Sequence, residues 1–405
     1  MMVNSSAPDR GLQTFCIVPW IQMQIGTSAD IYPCCRAQGA TSYGNLKVNS
    51  LAELWNSKIA CSLRAQLLSG DPLPMCSGCY AEERAGVESW RQAMNRRHVD
   101  DVRAAFGSDG SGNMPMGRIA GLDLRFSNLC QFSCRICDSA SSTAWYRDRM
   151  LMPAHFRYGP ERAENLGTLI FDKVKQVSSE LKWIYFAGGE PLLHPEHYAL
   201  LQFLISSGSA GDIRLAYNTN LSTLSLNGTS ILPLWNHFKE VDVGASLDGI
   251  GAAGELMRKG QNWARTVRNF RKVRLFCPDA SVFVETTVSA MNLFHLVAAV
   301  DEWLRIGMIS PGGIWKVNWL ETPRFLSPNV LTFSERSALS DAYGNHLKIL
   351  EGREDERVVS LIRRKYEYIL ARFDSVPWHQ ERSQFVEYMR NLDEIRGESS
   401  AELLS

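Results

Sequence analysis

Six short apolar segments recur along the chain after residue 118, and most of them are separated by amphipathic helical patterns. The predicted strands cover residues 119–126, 183–187, 213–218, 241–246, 282–288 and 315–319. The predicted helices between them cover residues 141–150, 196–207, 263–276 and 294–306. Alternating strand and helix signals indicate a parallel sheet with right-handed crossovers. We therefore predict an α/β fold whose six units suit an open, partial (β/α)6 barrel of the TIM type.

Polar and apolar residues alternate along these predicted strands. The outer face of such a barrel packs on helices and must be apolar, so the alternating polar residues should face the interior. On the first strand this argument places Asp123, Arg125 and Ser127 inside. On the later strands it selects Arg214, Asn218, Asp242, Ser246, Glu285, Thr287, Lys316 and Asn318.

The inward-facing residues fall into two groups by their height on the strands. The residues nearest the strand ends are Asn218, Thr287 and Asn318. The charged residues lower down are Asp123, Arg125, Glu285 and Lys316. Buried charges are costly unless they are paired, so we expect these four mostly to neutralise one another. The first group is expected to border a bound cofactor or substrate.

The same patterns divide the chain into domains. Residues 12–104 combine two short strand patterns, a helical segment and six of the ten cysteines, which predicts a small Cys-rich domain. Residues 105–117 include a Gly- and Ser-rich run and are predicted to be a linker. The barrel is assigned to residues 118–327, and the helical, charged residues 328–405 are expected to cap it. Residues 1–11 are expected to form a flexible tail.

Composition excludes several partner classes. The 405 residues carry 43 basic and 43 acidic side chains, so overall charge gives no reason to expect nucleic acid or a membrane surface as a partner. The N-terminus lacks a basic segment followed by an apolar one, and no apolar stretch reaches about 18 residues. We therefore expect a cytoplasmic protein. Clustered cysteines in that compartment are more typical of metal ligands than of disulfides.

Three of these cysteines follow the first predicted strand. Cys130, Cys134 and Cys137 have C-x3-C-x2-C spacing, which lets one short loop hold three corners of a compact metal centre. Iron–sulfur clusters usually take four thiolates and structural zinc takes four closed ligands. A loop that supplies three leaves one metal position free for a small molecule. The alternative is a zinc knuckle or buried thiols without a metal.

At these residues the chain resembles the radical S-adenosylmethionine (SAM) enzymes. In that family a [4Fe-4S] cluster on this motif binds SAM at its open iron. Electron transfer cleaves SAM to a 5′-deoxyadenosyl radical, which removes a hydrogen atom from the substrate. The residue before the third cysteine is often aromatic in the family and is Ile136 here, which can still pack on the adenine. The resemblance also implies an electron donor of the reductase or flavodoxin type.

Further motifs follow the later strands in the order that this resemblance implies. Gly188, Gly189 and Glu190 match the family's GGE motif, where Glu190 or nearby carbonyls accept from the SAM ammonium. By the same resemblance Ser246 and Asp248 would meet the ribose and Arg258 the SAM carboxylate. Asn218, at the end of the third strand, is counted with these cofactor-binding residues. No catalytic residue is assigned.

The N-terminal cysteines resemble those of the twitch domain, the shorter relative of the SPASM domain, which holds an auxiliary [4Fe-4S] cluster. By that resemblance the ligands are Cys16, Cys34, Cys76 and Cys79. Cys34 is favoured over the adjacent Cys35. No cysteines of the SPASM pattern follow at once after Cys79, so a second auxiliary cluster is not expected. A four-thiolate zinc site is the alternative.

These features lead to one expected function and two alternatives. The expected function is a radical SAM oxidoreductase or transformase acting on a peptide or a small metabolite, with the auxiliary cluster assisting oxidation or bond formation. One alternative is a radical SAM epimerase that returns hydrogen from a cysteine, for which Cys35 is the candidate. Cys61 and Cys277 are expected to be inert core cysteines. The alternative of another class is a non-catalytic iron–sulfur or zinc protein.

Overall fold

A computed structural model describes residues 13–37, 39–114, 119–159 and 164–404. The predicted tail, residues 1–11, and the last residues of the predicted linker, 115–117, lie outside the described residues. The structure divides into two units. The N-terminal unit holds the described residues up to 125 together with 168–185, and the C-terminal unit holds 126–167 and 186–404.

The strands and helices are numbered here in chain order. The strands are β1 Gln22–Ile25, β2 Ile31–Tyr32, β3 Gly121–Leu124, β4 Ser133–Cys134, β5 Trp183–Phe186, β6 Arg214–Thr219, β7 Ser225–Leu226, β8 Thr229–Ser230, β9 Glu240–Ser246, β10 Arg258–Lys259, β11 Ser281–Val288 and β12 Trp315–Trp319. The helices before β6 are α1 Val18–Ile21, α2 Leu51–Trp55, α3 Lys58–Ser69, α4 Ser77–Arg84, α5 Trp90–Arg97, α6 Val99–Phe106, α7 Trp145–Leu151, α8 Gly167–Val177 and α9 Pro195–Ser206. The helices after β6 are α10 Leu232–Trp235, α11 Gly251–Met257, α12 Trp263–Phe276, α13 His295–Arg305, α14 Phe333–Glu351, α15 Glu356–Ala371, α16 His379–Arg396 and α17 Ala401–Leu404.

In the N-terminal unit the strand order is β5–β3–β1–β2. β1 is parallel to β3 and antiparallel to β2. Gly121 at the start of β3 is required by packing, because a Cβ there would lie 1.9 Å from the ring of Trp183 on β5. The short helices begin at polar caps: Ser50 forms a capping box at α2 and Ser89 forms one at α5. These local signals fix the segments that carry the cysteines.

In the C-terminal unit the strand order is β12–β11–β9–β6, and all three neighbouring pairs are parallel. Helices connect them along the chain, with α10 before β9, α11 and α12 before β11, and α13 before β12. Side chains of β6 alternate between partly exposed and buried, as expected for a strand with one packed face. The predicted α/β class is confirmed.

The C-terminal helices α14 and α15 pack against each other, with the rings of Tyr343 and Tyr366 stacked at 3.8 Å between centroids. A capping box formed by Thr332 and Glu335 begins α14. The helical character predicted for residues 328–405 agrees with α14–α17. Among the described residues no helix has both the length and the apolar content needed to cross a membrane.

The six strands predicted after residue 118 agree with the observed ones to within two residues at each end. The short strand predicted to carry Cys16 is wrong, because that cysteine precedes helix α1 and the first strand begins only at Gln22. The helices that were not predicted include α1, α4, α5, α6, α8, α10 and α11. The two units also group β3 and β5 with the N-terminal cysteines, whereas the predicted boundaries put both strands in the barrel. The domain boundaries therefore stay a proposal, and the two units are the observed division.

Candidate functional site

Four thiols of the N-terminal unit converge. Cys16 precedes α1, Cys34 follows β2, Cys76 ends a 3-10 turn and Cys79 lies in the first turn of α4. Burial raises the pKa of the Cys16 thiol, and the nearby Cys34, Cys76 and Cys79 raise it further. Burial likewise raises the pKa of Cys34 to about 12 and that of Cys76 to about 11. Because Cys34, Cys76 and Cys79 each raise the pKa of Cys16, the four sulfurs lie close together.

Helix α5 braces the backbone around Cys16. The Arg91 guanidinium donates to the Phe15 carbonyl at 2.7 Å and to the Glu83 carboxylate at 2.9 Å. Asn95 donates to the same Phe15 carbonyl at 2.8 Å and accepts from the Ile17 backbone at 2.8 Å. Because both residues flanking Cys16 are held, the thiol keeps a fixed position relative to α4 and α5.

Cys34 and Cys35 take different partners. Cys34 interacts with Cys79 and Cys76. Among the groups around Cys35, Asp123 has the largest electrostatic effect on its pKa, and Arg125 lies nearby. Asp123 and Arg125 form an ion pair of 3.5 Å on the strand next to β1. This arrangement agrees with the preference for Cys34 as the fourth ligand, and the assignment stays a proposal.

The donor set of the four thiols is all sulfur, which suits an iron–sulfur cluster or zinc. Among the residues that the structure describes, no group of three or more His, Cys, Asp or Glu side chains is placed to hold a single metal ion. A [4Fe-4S] cluster binds each thiolate to a different iron atom, so its ligands need not meet at one point.

The three-cysteine loop belongs to the C-terminal unit. Cys134 lies on β4, which pairs antiparallel with β10 so that Cys134 faces Arg258. The Cys134 and Cys137 thiols interact with each other, which lowers the pKa of Cys134 and raises that of Cys137. Burial raises the pKa of Cys130 to about 12, and Cys134 raises it further. The three thiols therefore lie together, as the motif predicts for a three-ligand site.

The residue that directly follows the second cysteine anchors this loop to the C-terminal helices. Arg135 is fully buried, and its guanidinium donates to Asp393 at 2.5 Å and to Glu398 at 2.7 Å. Its backbone carbonyl accepts from the Tyr388 hydroxyl at 2.9 Å. Lys259 on β10 donates to the other oxygen of Glu398 at 2.5 Å. Residues 388–398 thus fix the position of the three-cysteine loop.

The GGE motif packs against the backbone of the same loop. Gly188 and Gly189 have positive φ values of 78° and 56°. A Cβ at Gly189 would lie 2.3 Å from the carbonyl oxygen of Leu129, and the Glu190 backbone donates to that oxygen at 2.7 Å. The two glycines therefore allow the GGE segment to lie directly against the backbone of the three-cysteine loop.

The Glu190 carboxylate already has three donors. It accepts from the Thr219 hydroxyl at 2.7 Å, the Asn220 backbone at 2.7 Å and the Leu192 backbone at 3.1 Å. Burial raises its pKa to about 6. Glu190 thus stabilises the end of β6. Two acceptors were predicted for the SAM ammonium, Glu190 and the nearby backbone carbonyls, and the carbonyls fit better because the Glu190 carboxylate already accepts three hydrogen bonds. Its role toward SAM stays a proposal.

Asp248 and Arg258 likewise interact with each other in the structure. They form a buried ion pair of 2.8 Å, and a guanidinium nitrogen of Arg258 lies 3.9 Å from the Cys134 sulfur. The second Asp248 oxygen accepts from the Thr287 backbone at 2.9 Å. Ser246 is partly exposed at the end of β9. Of the predicted SAM-binding residues, Asp248 and Arg258 are therefore brought to the three-cysteine loop.

Ile136 lines a cavity of about 220 Å3 beside the cluster loop. Cys137, Trp145, Phe156 and Tyr388 also line it. The cavity offers apolar and aromatic surface next to the third cysteine. This is the environment expected for Ile136 if it packs against a flat ring, and the contact with adenine stays a proposal.

The charges predicted to neutralise one another do so only in part. Of these four residues, Asp123 pairs with Arg125. Arg214 and Asp242, which were outside that prediction, form a second ion pair. Lys316 contradicts the prediction, because it is exposed and its ammonium lies over the ring of Phe283 at 4.5 Å. Glu285 instead accepts from Asn218 at 3.0 Å and from Asn318 at 2.9 Å.

Sequence reasoning missed several residues that support the site. Asn220 places its amide 3.9 Å from the Cys130 sulfur, and buried Asn292 donates to the backbone carbonyls of Asp248 and Thr287. Both asparagines end strand patterns, which is the signal that could have identified them. Arg135 is a single charge among loop residues, and its carboxylate partners more than 250 positions away gave no signal.

The remaining thiols bond to backbone carbonyls. Cys61 donates to the Asn56 carbonyl at 3.6 Å and buried Cys277 donates to the Leu232 carbonyl at 3.4 Å. Cys277 fits the expectation of an inert core residue, whereas Cys61 is only partly buried.

Comparison with protein families matches residues 16–80 to SPASM, an iron–sulfur cluster-binding domain. Comparison with curated proteins gives no match. Among solved structures, anSMEcpe with bound AdoMet and a Cp18Cys peptide is 14% identical, with 58% of this chain and 61% of that chain covered and a TM-score of 0.38. SuiB of Streptococcus suis bound to S-adenosylmethionine is also 14% identical, with 57% and 45% covered and a TM-score of 0.35. TYW1 with a lysine-pyruvate adduct is 12% identical, with 58% and 74% covered and a TM-score of 0.35.

The chain spans less than two thirds of the length of anSMEcpe and of SuiB. The SPASM match includes all four N-terminal cysteines assigned as ligands. It confirms the predicted iron–sulfur domain in the N-terminal part of the chain.

Proposed function

We propose that this chain is a radical SAM enzyme that acts on a peptide or a small metabolite. A [4Fe-4S] cluster on Cys130, Cys134 and Cys137 would bind SAM at its open iron. When bound, the cluster supplies the electron that cleaves SAM to a 5′-deoxyadenosyl radical, which removes a hydrogen atom from the substrate. The observation that carries this proposal is that one loop brings together three thiols and no fourth.

The chain's own residues support an open site at that loop. Arg258 lies beside the Cys134 sulfur and is balanced by Asp248, so a cation is held at the cluster without excess charge. In this proposal Arg258 exchanges part of its bonding from Asp248 to the SAM carboxylate, and the freed Asp248 oxygen accepts from the ribose together with Ser246. Gly188, Gly189 and Asn218 would border the ligand at the ends of β5 and β6.

The N-terminal thiols would hold the auxiliary cluster. Cys16, Cys34, Cys76 and Cys79 complete a four-sulfur set, so this cluster has no open position and is proposed to accept or relay electrons. A reductase or flavodoxin-type donor would reduce the cluster of the three-cysteine loop.

Anaerobic reconstitution tests the proposal. The reconstituted chain should hold iron for two clusters and release 5′-deoxyadenosine when dithionite and SAM are added. The variant with Cys130, Cys134 and Cys137 all changed to Ala should lose cleavage and about half of the iron. Cys277→Ala is the matched control, because it removes a buried thiol of the same unit and should leave both signals intact. Tightly bound zinc and no SAM cleavage would favour the non-catalytic alternative.

A further inference from the structure

Glu285 is a buried carboxylate at the middle of the four parallel strands of the C-terminal unit. It lies on β11 and is only 9% exposed. Its Oε1 accepts from the amide of Asn218 on β6 at 3.0 Å and from the amide of Asn318 on β12 at 2.9 Å. Its Oε2 is buried and has no hydrogen-bond partner among the described residues. Half of the acceptor capacity of this carboxylate is therefore unused.

No described basic side chain balances Glu285. Lys316 is its register partner on β12, but that ammonium lies over the ring of Phe283. Arg214, the other cation on the inward face, pairs with Asp242 and Glu240. Two neutral amides can orient a carboxylate, but they do not supply the positive charge that a buried ionised group requires.

The neighbouring strand leaves room for Oε2. A Cβ at Gly244 on β9 would lie 2.6 Å from this oxygen, so any larger residue there would displace it. The residues around Glu285 thus hold its side chain in one position: β6 and β12 supply hydrogen-bond donors to one carboxylate oxygen, and Gly244 on β9 leaves space for the other.

The surrounding polar side chains are reachable. Asn218, Ser246, Thr287 and Asn318 are all partly exposed, and all lie on the inward face near the carboxyl ends of their strands. Substrates of enzymes with parallel α/β architecture bind at these strand ends.

We propose that Glu285, oriented by Asn218 and Asn318, binds a primary ammonium group of the substrate. The proposal rests on the proposed function, which it deepens by naming the substrate chemistry. An ammonium supplies both the missing positive charge and up to three N–H donors for the unused oxygen. The group could belong to a lysine side chain of a peptide or to a small amine, since both present the same chemistry.

Equilibrium binding to the full anaerobically purified chain tests this assignment without SAM. Two matched probe pairs are used: acetyl-Gly-Lys-Gly-amide against its norleucine analogue, and n-butylammonium against n-butanol. At least one ammonium probe should bind about tenfold more tightly than its neutral partner, because a charge-assisted hydrogen bond replaces a neutral contact. The pair that shows the larger preference identifies the source of the ammonium.

Glu285→Gln keeps the size of the side chain and removes the charge. The ratio of the affinities for the ammonium probe and its neutral partner should therefore fall to about 1. Glu240→Gln is the matched control, since it removes an exposed carboxylate from adjacent β9 and should leave the preference unchanged. Asn318→Ala gives a second test that keeps the charge, and it should weaken the preference by releasing Oε1. Equal binding of both members in each pair, or a preference that persists in Glu285→Gln, would overturn the assignment. SAM cleavage is measured separately, so its failure with an intact ammonium preference would count against the proposed function alone.

Discussion

The two cysteine sites of this chain are built in opposite ways. The N-terminal site takes its four thiols from three separated segments, each fixed by nearby structure such as the Arg91 and Asn95 contacts around Cys16. The three-cysteine loop takes all its thiols from eight consecutive residues, 130–137. Its bracing comes from distant residues, including Asp393 and Glu398.

This difference follows from how many ligands each site needs. A closed four-thiolate site is complete within its own segments, so local contacts are sufficient to hold it. A loop with three ligands must keep one metal position clear for a small molecule, so its support has to come from groups that leave that position open. Arg135 provides such support, because its side chain extends from the loop to Asp393 and Glu398 and a guanidinium is not a metal ligand.

The largest expected effect is that of Arg135→Met. This change leaves Asp393 and Glu398 without their shared guanidinium, and breaking a buried ion pair in this way costs about 3–5 kcal/mol. The free energy of unfolding should fall by that amount. After anaerobic reconstitution about half of the iron should be missing, and SAM cleavage should be lost while the N-terminal cluster remains.

Arg147→Met is the matched control, since Arg147 is an exposed arginine on α7 of the same unit. It should leave iron content and unfolding unchanged. If Arg135→Met retained full iron and stability, the loop would be self-sufficient, and the contrast between the two sites would be lost.

Much of this arrangement could be predicted from local patterns. The period-2 alternation located the strands and the C-x3-C-x2-C spacing located the three-cysteine loop, because each of these signals lies within a few consecutive residues. The partners of Glu190 and Arg135 could not be predicted, since they come from β6 and from the chain's end. The expected neutralisation by Lys316 was wrong. β12 is the last strand in its unit's order and has a strand neighbour on one side only, so this side chain can reach solvent.

Acid should weaken the C-terminal site through a buried histidine. His197 contacts the Tyr217 hydroxyl at 2.9 Å, and its ring packs near Phe126, which leads into the cysteine loop. Burial lowers the pKa of His197 to about 3. Below pH 6.5 the unfolded chain therefore gains a proton that the folded chain does not, and stability falls as the pH drops toward 3. The loss should be about 2 kcal/mol between pH 6.5 and 5.

Urea unfolding at several pH values measures this slope. His197→Phe should reduce the slope by about 1.4 kcal/mol per pH unit, whatever its effect on absolute stability. His237→Phe, which changes an exposed histidine of the same unit, should keep the wild-type slope. An unchanged slope in His197→Phe would remove this histidine from the acid response. The N-terminal site is flanked instead by arginines such as Arg36 and Arg91, which stay protonated throughout this range.

The smallest expected effect distinguishes two adjacent cysteines of the N-terminal site. Cys34 interacts with Cys76 and Cys79, whereas Asp123 is the charged group with the largest effect on Cys35. Cys35→Ser should therefore keep full iron after reconstitution, since it leaves all four proposed ligands in place. Cys34→Ser should lose the auxiliary iron and retain SAM cleavage, because the three-cysteine loop has its own ligands and its own anchors. The reverse pattern would make Cys35 the fourth ligand, and the closed site would then depend on the contacts of β3 rather than on those of its own segments.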